Sequence, residues 1–206
     1  TGAQVDLTRP MALAGFTPSP SRRSLVYGNR WLVLDFRESG KLSLHTVALP
    51  SAPQNGSINW SPDETHLSFR GQDGAVWLVR QDGNAVRVPN AASLPEWSYN
   101  GSWLSYCSVD GGLWLIGAST PPTRIAMTGI CQHRWSSGQD LLAYTVQDAS
   151  AINGFRSYLY NPVTGESTLL SEGMLVESWS PDGKYIALTR PTSAGLSPTL
   201  TLSPCF

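Results

Sequence analysis

Apolar and polar residues alternate over short stretches along most of this chain, which is the pattern typical of half-buried β-strands. Apolar–small–apolar triplets such as Leu67-Ser68-Phe69 and Leu104-Ser105-Tyr106 are followed by turns that carry Asp-Gly pairs. Glycine supplies the positive φ that a tight hairpin turn needs. The longest apolar runs, such as Trp31-Leu32-Val33-Leu34, have the length of a strand. The pattern therefore predicts an all-β chain.

One block of sequence recurs along the whole chain. It is clearest in Trp60-Ser61-Pro62-Asp63 and Trp179-Ser180-Pro181-Asp182-Gly183, and seven residues after each Trp an apolar–small–apolar triplet begins. The anchors of the five copies, spaced by 44, 37, 38 and 44 residues, are Phe16, Trp60, Trp97, Trp135 and Trp179. Four short antiparallel strands in a period near 40 residues predict a β-propeller blade rather than a sandwich. We therefore expect residues 1–206 to form one β-propeller domain.

The recurring block has a structural explanation that needs no function. A Trp on the innermost strand can wedge between neighbouring blades, and Ser-Pro-Asp-Gly suits the tight turn to the second strand. Proline presets φ in such a turn, and the Asp side chain accepts hydrogen bonds from backbone N–H groups.

These blocks resemble the repeats of the TolB-like (WD-type) propeller family, and the resemblance covers nearly the whole chain. The closest copy is Asp182-Gly183-Lys184-Tyr185-Ile186-Ala187-Leu188. The resemblance implies a periplasmic or extracellular protein that acts in protein–protein interaction. It says little about chemistry, because the matching residues build blades rather than sites.

The number of repeats predicts five four-stranded blades. Blade five lacks a fourth strand at the C-terminus, whereas residues 3–8 have strand character and precede the first anchor. If these residues pair with the last strand, the ring closes and leaves no exposed sheet edge. The alternative is a group of five blades that belongs to a larger propeller.

Composition and charge narrow the classes of partner. The chain carries 14 Lys and Arg against 15 Asp and Glu, and Arg22-Arg23 is its densest basic cluster. Binding to nucleic acid requires a concentrated positive face, so we expect no nucleic-acid partner. No apolar run approaches the about 20 residues of a membrane-spanning helix, so we expect no membrane span.

Five residues are candidates for a ligand site in the central channel, because they lie just before the anchors on the innermost strands. They are Asn59, Glu96, His133, Arg134 and Glu177. They could bind a polar ligand, or they could pair with one another and fill the channel. Glu96 and Glu177 are the one inner-strand pair that could serve a carbohydrate-active enzyme, which needs two carboxyl groups about 5–9.5 Å apart.

Motifs for catalysis and cofactors are absent from the sequence. It has no G-x-S-x-G elbow, no phosphate-cradling loop and no spacing of cysteines and histidines typical of metal ligands. Other acids, such as Asp63, Asp110 and Asp182, lie in predicted turns that explain their presence. We therefore expect no enzymatic activity, no cofactor and no metal.

Two of the three cysteines are predicted to lie near each other. Cys107 ends the second strand of blade three and Cys131 begins the first strand of blade four, whereas Cys205 should lie near the opposite face. A disulfide between Cys107 and Cys131, formed in an oxidising compartment, and two buried thiols are the alternatives.

Two hairpin loops are predicted to be long, at residues 147–155 in blade four and 191–198 in blade five. Extra loop length on one face of neighbouring blades is an economical place for recognition. The leading hypothesis is therefore a non-enzymatic scaffold that binds a protein or peptide partner on its loop-rich face. The alternative is a carbohydrate-active or small-ligand-binding propeller that uses the central channel.

Overall fold

Five antiparallel sheets follow one another along the chain. The computed structural model describes residues 16–36, 42–117, 120–192 and 195–204, which form nineteen strands. Residues 3–8, predicted to be the closing strand, and Cys205 lie outside the described residues.

The strands are short, and each pairs with its neighbours in the chain. The first sheet contains β1 (Phe16–Pro18), β2 (Ser24–Tyr27), β3 (Arg30–Phe36) and β4 (Leu42–Ala48). The second contains β5 (Pro53–Trp60), β6 (His66–Gly71), β7 (Val76–Arg80) and β8 (Ala85–Val88). The third contains β9 (Glu96–Trp97), β10 (Trp103–Cys107), β11 (Gly112–Gly117) and β12 (Thr120–Met127). The fourth contains β13 (His133–Trp135), β14 (Leu142–Gln147), β15 (Phe155–Asn161) and β16 (Glu166–Glu172). The fifth, within the described residues, contains β17 (Leu175–Trp179), β18 (Tyr185–Thr192) and β19 (Gly195–Pro204).

Each predicted anchor lies on the first strand of its sheet, and three of the anchors bond to the preceding sheet. The indole Nε1 of Trp97 donates to the backbone oxygen of Asn59 at 3.3 Å. Trp135 Nε1 donates in the same way to the oxygen of Glu96 at 3.0 Å, and Trp179 Nε1 to that of Arg134 at 3.0 Å. In each pair the acceptor is the residue just before the previous Trp. The repeat therefore places Trp97, Trp135 and Trp179 against the first strand of the preceding sheet.

The Ser-x-Asp turns repeat atom for atom. Ser61 Oγ donates to Asp63 Oδ1 at 2.6 Å and accepts the backbone N–H of His66 at 3.0 Å. Ser180 makes the same two bonds, to Asp182 Oδ1 at 2.6 Å and from the N–H of Tyr185 at 2.9 Å. These bonds satisfy backbone groups that a tight turn would otherwise leave unpaired.

The hydrophobic core lies between sheets rather than at one centre. Within the described residues, four clusters of buried side chains each join two consecutive sheets, from the first pair to the fourth pair. In the first cluster Trp31 and Trp60 pack edge to face with ring centroids 5.6 Å apart. A sheet therefore buries both of its faces only when it has a neighbouring sheet on each side.

The predicted long loop at residues 191–198 is wrong. β18 continues to Thr192 and β19 begins at Gly195, with Pro191 opposite Leu196 and Arg190 opposite Ser197. The Pro, Ser and Gly residues of this stretch favour turns, but proline is tolerated in a strand where no neighbouring strand needs the N–H that it lacks. Pro198 lies on the outer strand β19, and Pro191 lies beyond the part of β18 that pairs with β17. None of the described segments forms a helix with the length and apolar character that crossing a bilayer requires.

Candidate functional site

The two ends of the sheets differ in their connections. At one end, which we call the turn end, lie the Ser-x-Asp turns and the hairpins between the third and fourth strands. At the other, the loop end, lie the hairpins between the second and third strands and the connections from sheet to sheet. The other predicted long loop, at residues 147–155, is a loop in the structure, because residues 148–154 at the loop end separate β14 from β15.

The predicted channel residues do not all meet in one cluster. Asn59, on β5, uses its side-chain amide to donate to the backbone oxygen of Pro95 at 2.8 Å, beside the neighbouring first strand. Glu177 lies exposed on β17, where the pairing with β18 shifts register. The structure brings Glu96, His133 and Arg134 together across the junction of sheets three and four.

In this group a carboxylate faces two bases. Glu96 Oε1 lies 3.6 Å from Arg134 Nη1, and Glu96 Oε2 lies 4.0 Å from His133 Nε2. Burial raises the pKa of Glu96, and the charge of Arg134 opposes that rise. Arg134 Nη1 also donates to the backbone oxygen of His133 at 2.7 Å. In this arrangement Glu96 is paired with the charged Arg134 and lies beside His133, rather than being left free for a ligand.

His133 is a neutral imidazole at pH 7. It is 2% exposed, and burial, with a smaller contribution from the charge of Arg134, lowers its pKa from 6.5 to about 4. Its Nε2 atom is buried and has no hydrogen-bond partner among the residues that the structure describes. Such an unsatisfied nitrogen is uncommon in a protein interior and calls for an explanation.

A disulfide stands on the other side of the His133 ring. Cys107, at the end of β10, is bonded to Cys131, in the connection before β13, with a Cα–Cα distance of 5.7 Å. His133 Nδ1 lies 3.6 Å from Cys107 Sγ and 4.0 Å from Cys131 Sγ. The disulfide therefore links sheets three and four at the loop end, next to the Glu96 group.

The sequence pattern placed Cys107 near Cys131, with a disulfide as one of two alternatives, but did not indicate that His133 joins them. Cys107 and Cys131 are 24 residues apart in sequence, and the three side chains meet because sheets three and four are neighbours. The signal that could have found it is Cys131-x-His133 at the start of a first strand, together with a cysteine at the end of β10.

The carboxylates of Asp63 and Asp182, in the Ser-x-Asp turns, accept hydrogen bonds from within their own turns. Burial raises the pKa of Asp63, but hydrogen bonds from Ser61 and Thr65 outweigh that effect and lower it. Hydrogen bonds from Ser180 and the backbone N–H of Lys184 lower the pKa of Asp182. Their carboxylate oxygens are used in building the turns, as the sequence pattern indicated.

Three large apolar side chains are exposed at the loop end of sheets three and four. Val109 is 75% exposed, Ile152 63% and Met127 50%. They lie in the β10–β11 hairpin, in the loop at residues 148–154 and at the end of β12. A backbone hydrogen bond closes that loop at its base, because the N–H of Asp148 donates to the oxygen of Gly154 at 2.9 Å.

Charged groups fix the same loop. Arg156 Nη1 contacts Asp148 Oδ2 at 2.6 Å, and Arg156 Nε contacts Glu172 Oε1 at 3.0 Å. A single guanidinium thus ties the loop to β15 and to the outer strand β16. Ile152 is therefore presented on a loop with a defined conformation.

A cleft of about 320 Å³ opens at the turn end between sheets two and three. Its apolar lining includes Leu78, Val86, Trp97, Trp103 and Pro122. The sequence analysis did not find it. The signal was Trp103 itself, a second Trp in a repeat whose other copies carry His66, Leu141 or Tyr185 at that place.

No protein-family model and no curated protein sequence matches this chain. Among solved structures it is similar to the tricorn protease, with a TM-score of 0.53 and 13% identity over 92% of this chain and 20% of that one. It is also similar to the dihydro-heme d1 dehydrogenase NirN in complex with DHE, with a TM-score of 0.52 and 14% identity over 93% of this chain and 44% of that one. The β-propeller domain of Myceliophteria thermophila Cps50 (Swd1) has a TM-score of 0.48 and 14% identity over 91% of this chain and 70% of that one.

This chain spans a fifth of the length of the tricorn protease and less than half of NirN. At such identities the likeness shows the fold alone. Together with the four-stranded antiparallel sheets, it identifies the fold as that of a β-propeller.

Proposed function

We propose that this chain is a non-enzymatic, TolB-like interaction scaffold of the periplasm or the extracellular space, and that it binds a protein partner at the loop end of sheets three and four. The observation that carries the proposal is the exposure of Val109, Met127 and Ile152 at one end of two neighbouring sheets. Exposed apolar groups at a defined site favour protein association because their burial removes apolar area from water. The Cys107–Cys131 disulfide supports an oxidising compartment.

The pairing of the charged groups supports a role without catalysis. Glu96 is neutralised by Arg134 and faces His133, and Asp63 and Asp182 are engaged in turns. A glycoside hydrolase needs a second carboxyl group across a sugar cleft from the first. Glu177, the partner that the sequence offered for Glu96, is exposed on β17.

The proposal includes a ring of five blades closed by residues 3–8. The fifth sheet has three strands in the described part of the chain, and β19 is its outer strand. A strand added there would complete the sheet and protect its edge. Deleting residues 1–8 should then lower the midpoint of thermal unfolding, whereas an unchanged midpoint would favour five blades of a larger propeller.

Site-specific crosslinking in the native host tests the interaction surface. A photoreactive amino acid replaces Val109 or Ile152 in one set of cells. In the control it replaces Val163, which is 80% exposed at the turn end of sheet four. We expect one protein to be crosslinked from positions 109 and 152 and not from 163. Equal yields from both ends, or no crosslinked protein from 109 and 152, would contradict the proposal.

The apolar cleft favours a second candidate function, the binding of a small apolar or aromatic molecule between sheets two and three. Its volume lies at the lower end of the range for ligand pockets. Titration of a library of aromatic fragments should quench the fluorescence of Trp97 and Trp103, and Val86→Arg should abolish the quenching. If Val86→Arg has no more effect than Val163→Arg, the cleft is not a binding site.

A further inference from the structure

The side chains of Cys107, Cys131 and His133 converge at the loop end of sheets three and four. Their ligand atoms all lie within 4.8 Å of one another. We propose that reduction of the disulfide converts this cluster into a Zn²⁺ site with two thiolate ligands, one imidazole ligand and a water molecule in the fourth position. Two thiolates balance the charge of the metal ion.

The histidine already stands at the spacing that such a site requires. Zn–S bonds of about 2.3 Å and Zn–N bonds of about 2.0–2.1 Å in a tetrahedron place a sulfur and a nitrogen ligand about 3.6 Å apart. His133 Nδ1 lies 3.6 Å from Cys107 Sγ and 4.0 Å from Cys131 Sγ. Only the two sulfurs have to separate, to about 3.8 Å in the same geometry.

The surroundings of His133 also suit a metal ligand. A histidine that binds a metal through one ring nitrogen commonly donates its other N–H to a carboxylate, which fixes the ring and its tautomer. Within the described part of the chain, His133 Nε2 is buried without a hydrogen-bond partner, and it faces Glu96 Oε2 at 4.0 Å. A proton on Nε2 leaves the lone pair of Nδ1 directed at the sulfurs. The proposed site therefore gives the unsatisfied nitrogen a role.

The two cysteines differ in their freedom to move. Cys107 is fixed in β10, since its N–H donates to Ser93 Oγ at 3.2 Å and its backbone oxygen accepts the N–H of Ala92 at 2.8 Å. Cys131 is exposed and lies in the connection between β12 and β13. We expect a reductant to attack Cys131 Sγ and the Cys131 side chain to make the movement that opens the site.

The chemistry is a two-electron exchange with a dithiol. A thiolate of the dithiol bonds to Cys131 Sγ and releases the Cys107 thiolate. The second thiolate of the reductant then displaces Cys131, and the reductant leaves as a disulfide. The two protons of the dithiol pass to the protein thiols or to solvent, and Zn²⁺ binding displaces any that remain on sulfur. Reoxidation by a small disulfide reverses both steps and expels the metal ion.

Zinc content measured in both redox states tests the proposal. All variants carry Cys205→Ser, so that the third cysteine cannot bind metal. Reduction uses a phosphine, which becomes its oxide with an oxygen atom from water and brings no competing thiol. After incubation with Zn²⁺ and desalting, we expect one zinc per reduced chain and none per oxidised chain. Co²⁺ in place of Zn²⁺ should give the thiolate charge-transfer absorption of a tetrahedral site.

Substitutions distinguish the proposed Zn²⁺ ligands from residues that only lie near the site. Cys131→Ser and His133→Gln should each weaken Zn²⁺ binding by at least tenfold, and Glu96→Gln by about tenfold because it removes the partner of the ligand. His66→Gln, at a half-buried histidine of sheet two, is the matched control and should bind as the parent does. Retention of parental affinity in Cys131→Ser, or no zinc in the reduced parent, would overturn the proposal.

The test holds even if reduction unfolds the chain. Metal binding to a site that exists only in the folded state stabilises that state. Zn²⁺ should then restore the native tryptophan fluorescence of the reduced parent but not of His133→Gln. Failure to restore it in the parent would equally overturn the proposal.

Discussion

The turn end and the loop end of this propeller are held together in different ways. At the turn end, neighbouring sheets contact each other through many small bonds of similar kind. Ser21 Oγ donates to Glu64 Oε2 at 2.5 Å, and Ser137 Oγ donates to the backbone oxygen of Ser180 at 2.6 Å. At the loop end, one covalent bond between Cys107 and Cys131 joins sheets three and four.

The difference shows where to look for function in a repeat protein. Features that recur in each sheet, such as the Ser-x-Asp turns, are explained by the architecture that they build. Features that occur at one junction are not explained in this way. The disulfide, the buried His133 and the exposed Val109 and Ile152 belong to the second kind and lie at the loop end. The cleft beside Trp103 also belongs to it and lies at the turn end.

Removing the disulfide should have the largest effect on stability. The double variant Cys107→Ser/Cys131→Ser opens a loop whose ends are 24 residues apart in sequence. The loss of this constraint on the unfolded chain corresponds to about 3.5 kcal/mol in the free energy of unfolding. Denaturant titration in the absence of reductant measures it, with Cys205→Ser as the matched control. A loss no greater than that of the control would show that the loop end does not depend on its covalent link.

Acid should weaken the same junction through His133. The pKa of His133 is about 4 in the folded chain against 6.5 for the ordinary side chain. Between these values the unfolded chain binds a proton that the folded chain does not. The free energy of unfolding should therefore fall by up to about 3 kcal/mol as the pH decreases from 6.5 to 4.

Neighbouring groups modify this pH dependence. The raised pKa of Glu96 acts in the opposite direction, because its contribution to stability is lost as the pH rises through that raised value. The charge of Arg134 acts on both groups, since it opposes the rise in the pKa of Glu96 and adds to the lowering of the pKa of His133. His133→Gln should reduce the slope of the profile between pH 4 and 6.5, and His66, whose pKa burial also lowers, accounts for part of the slope that remains. A slope that is unchanged in His133→Gln would assign it to other groups.

At the turn end, the largest single effect is expected at a glycine. Gly183 has a φ of +68°, and a Cβ there would lie 2.5 Å from the backbone nitrogen of Gly138 on the neighbouring sheet. Gly165 has a φ of +75° with nothing within 4 Å of a Cβ. Gly183→Ala should therefore lower the free energy of unfolding by about 1–3 kcal/mol more than Gly165→Ala does. Equal losses would mean that the turns do not pack tightly against one another.

The sequence predicted the parts of the fold that repeat. The anchors lie on first strands because a Trp at that place packs against the neighbouring sheet, and the role of Asp63 and Asp182 in turns followed from local chemistry. The prediction for residues 191–198 was wrong because turn-forming residues can also lie in strands, on the outer strand β19 and on the part of β18 that extends past β17.

The candidate site was harder to predict because its residues come from different sheets. The meeting of Glu96 with His133 and Arg134 depends on how two first strands stand beside each other. The cleft beside Trp103 depends on the space that sheets two and three leave between them. A periodic sequence pattern specifies which residues of a sheet face the adjacent sheet, but it does not specify the distance between the two sheets.

Serine substitutions at the two ends give the smallest and sharpest comparison. Ser61 is 1% exposed, and its Oγ accepts the N–H of His66 and donates to Asp63. Ser150 is exposed at the loop end and donates to Asp148 Oδ1 at 2.6 Å. Ser61→Ala leaves a buried N–H without this partner and should cost about 1–2 kcal/mol, whereas Ser150→Ala should cost less than about 0.5 kcal/mol because water replaces the bond. Thermal unfolding of the two variants measures both values. If Ser150→Ala proves the more costly, stability does not reside in the repeated turns, and the division between a structural end and a functional end fails.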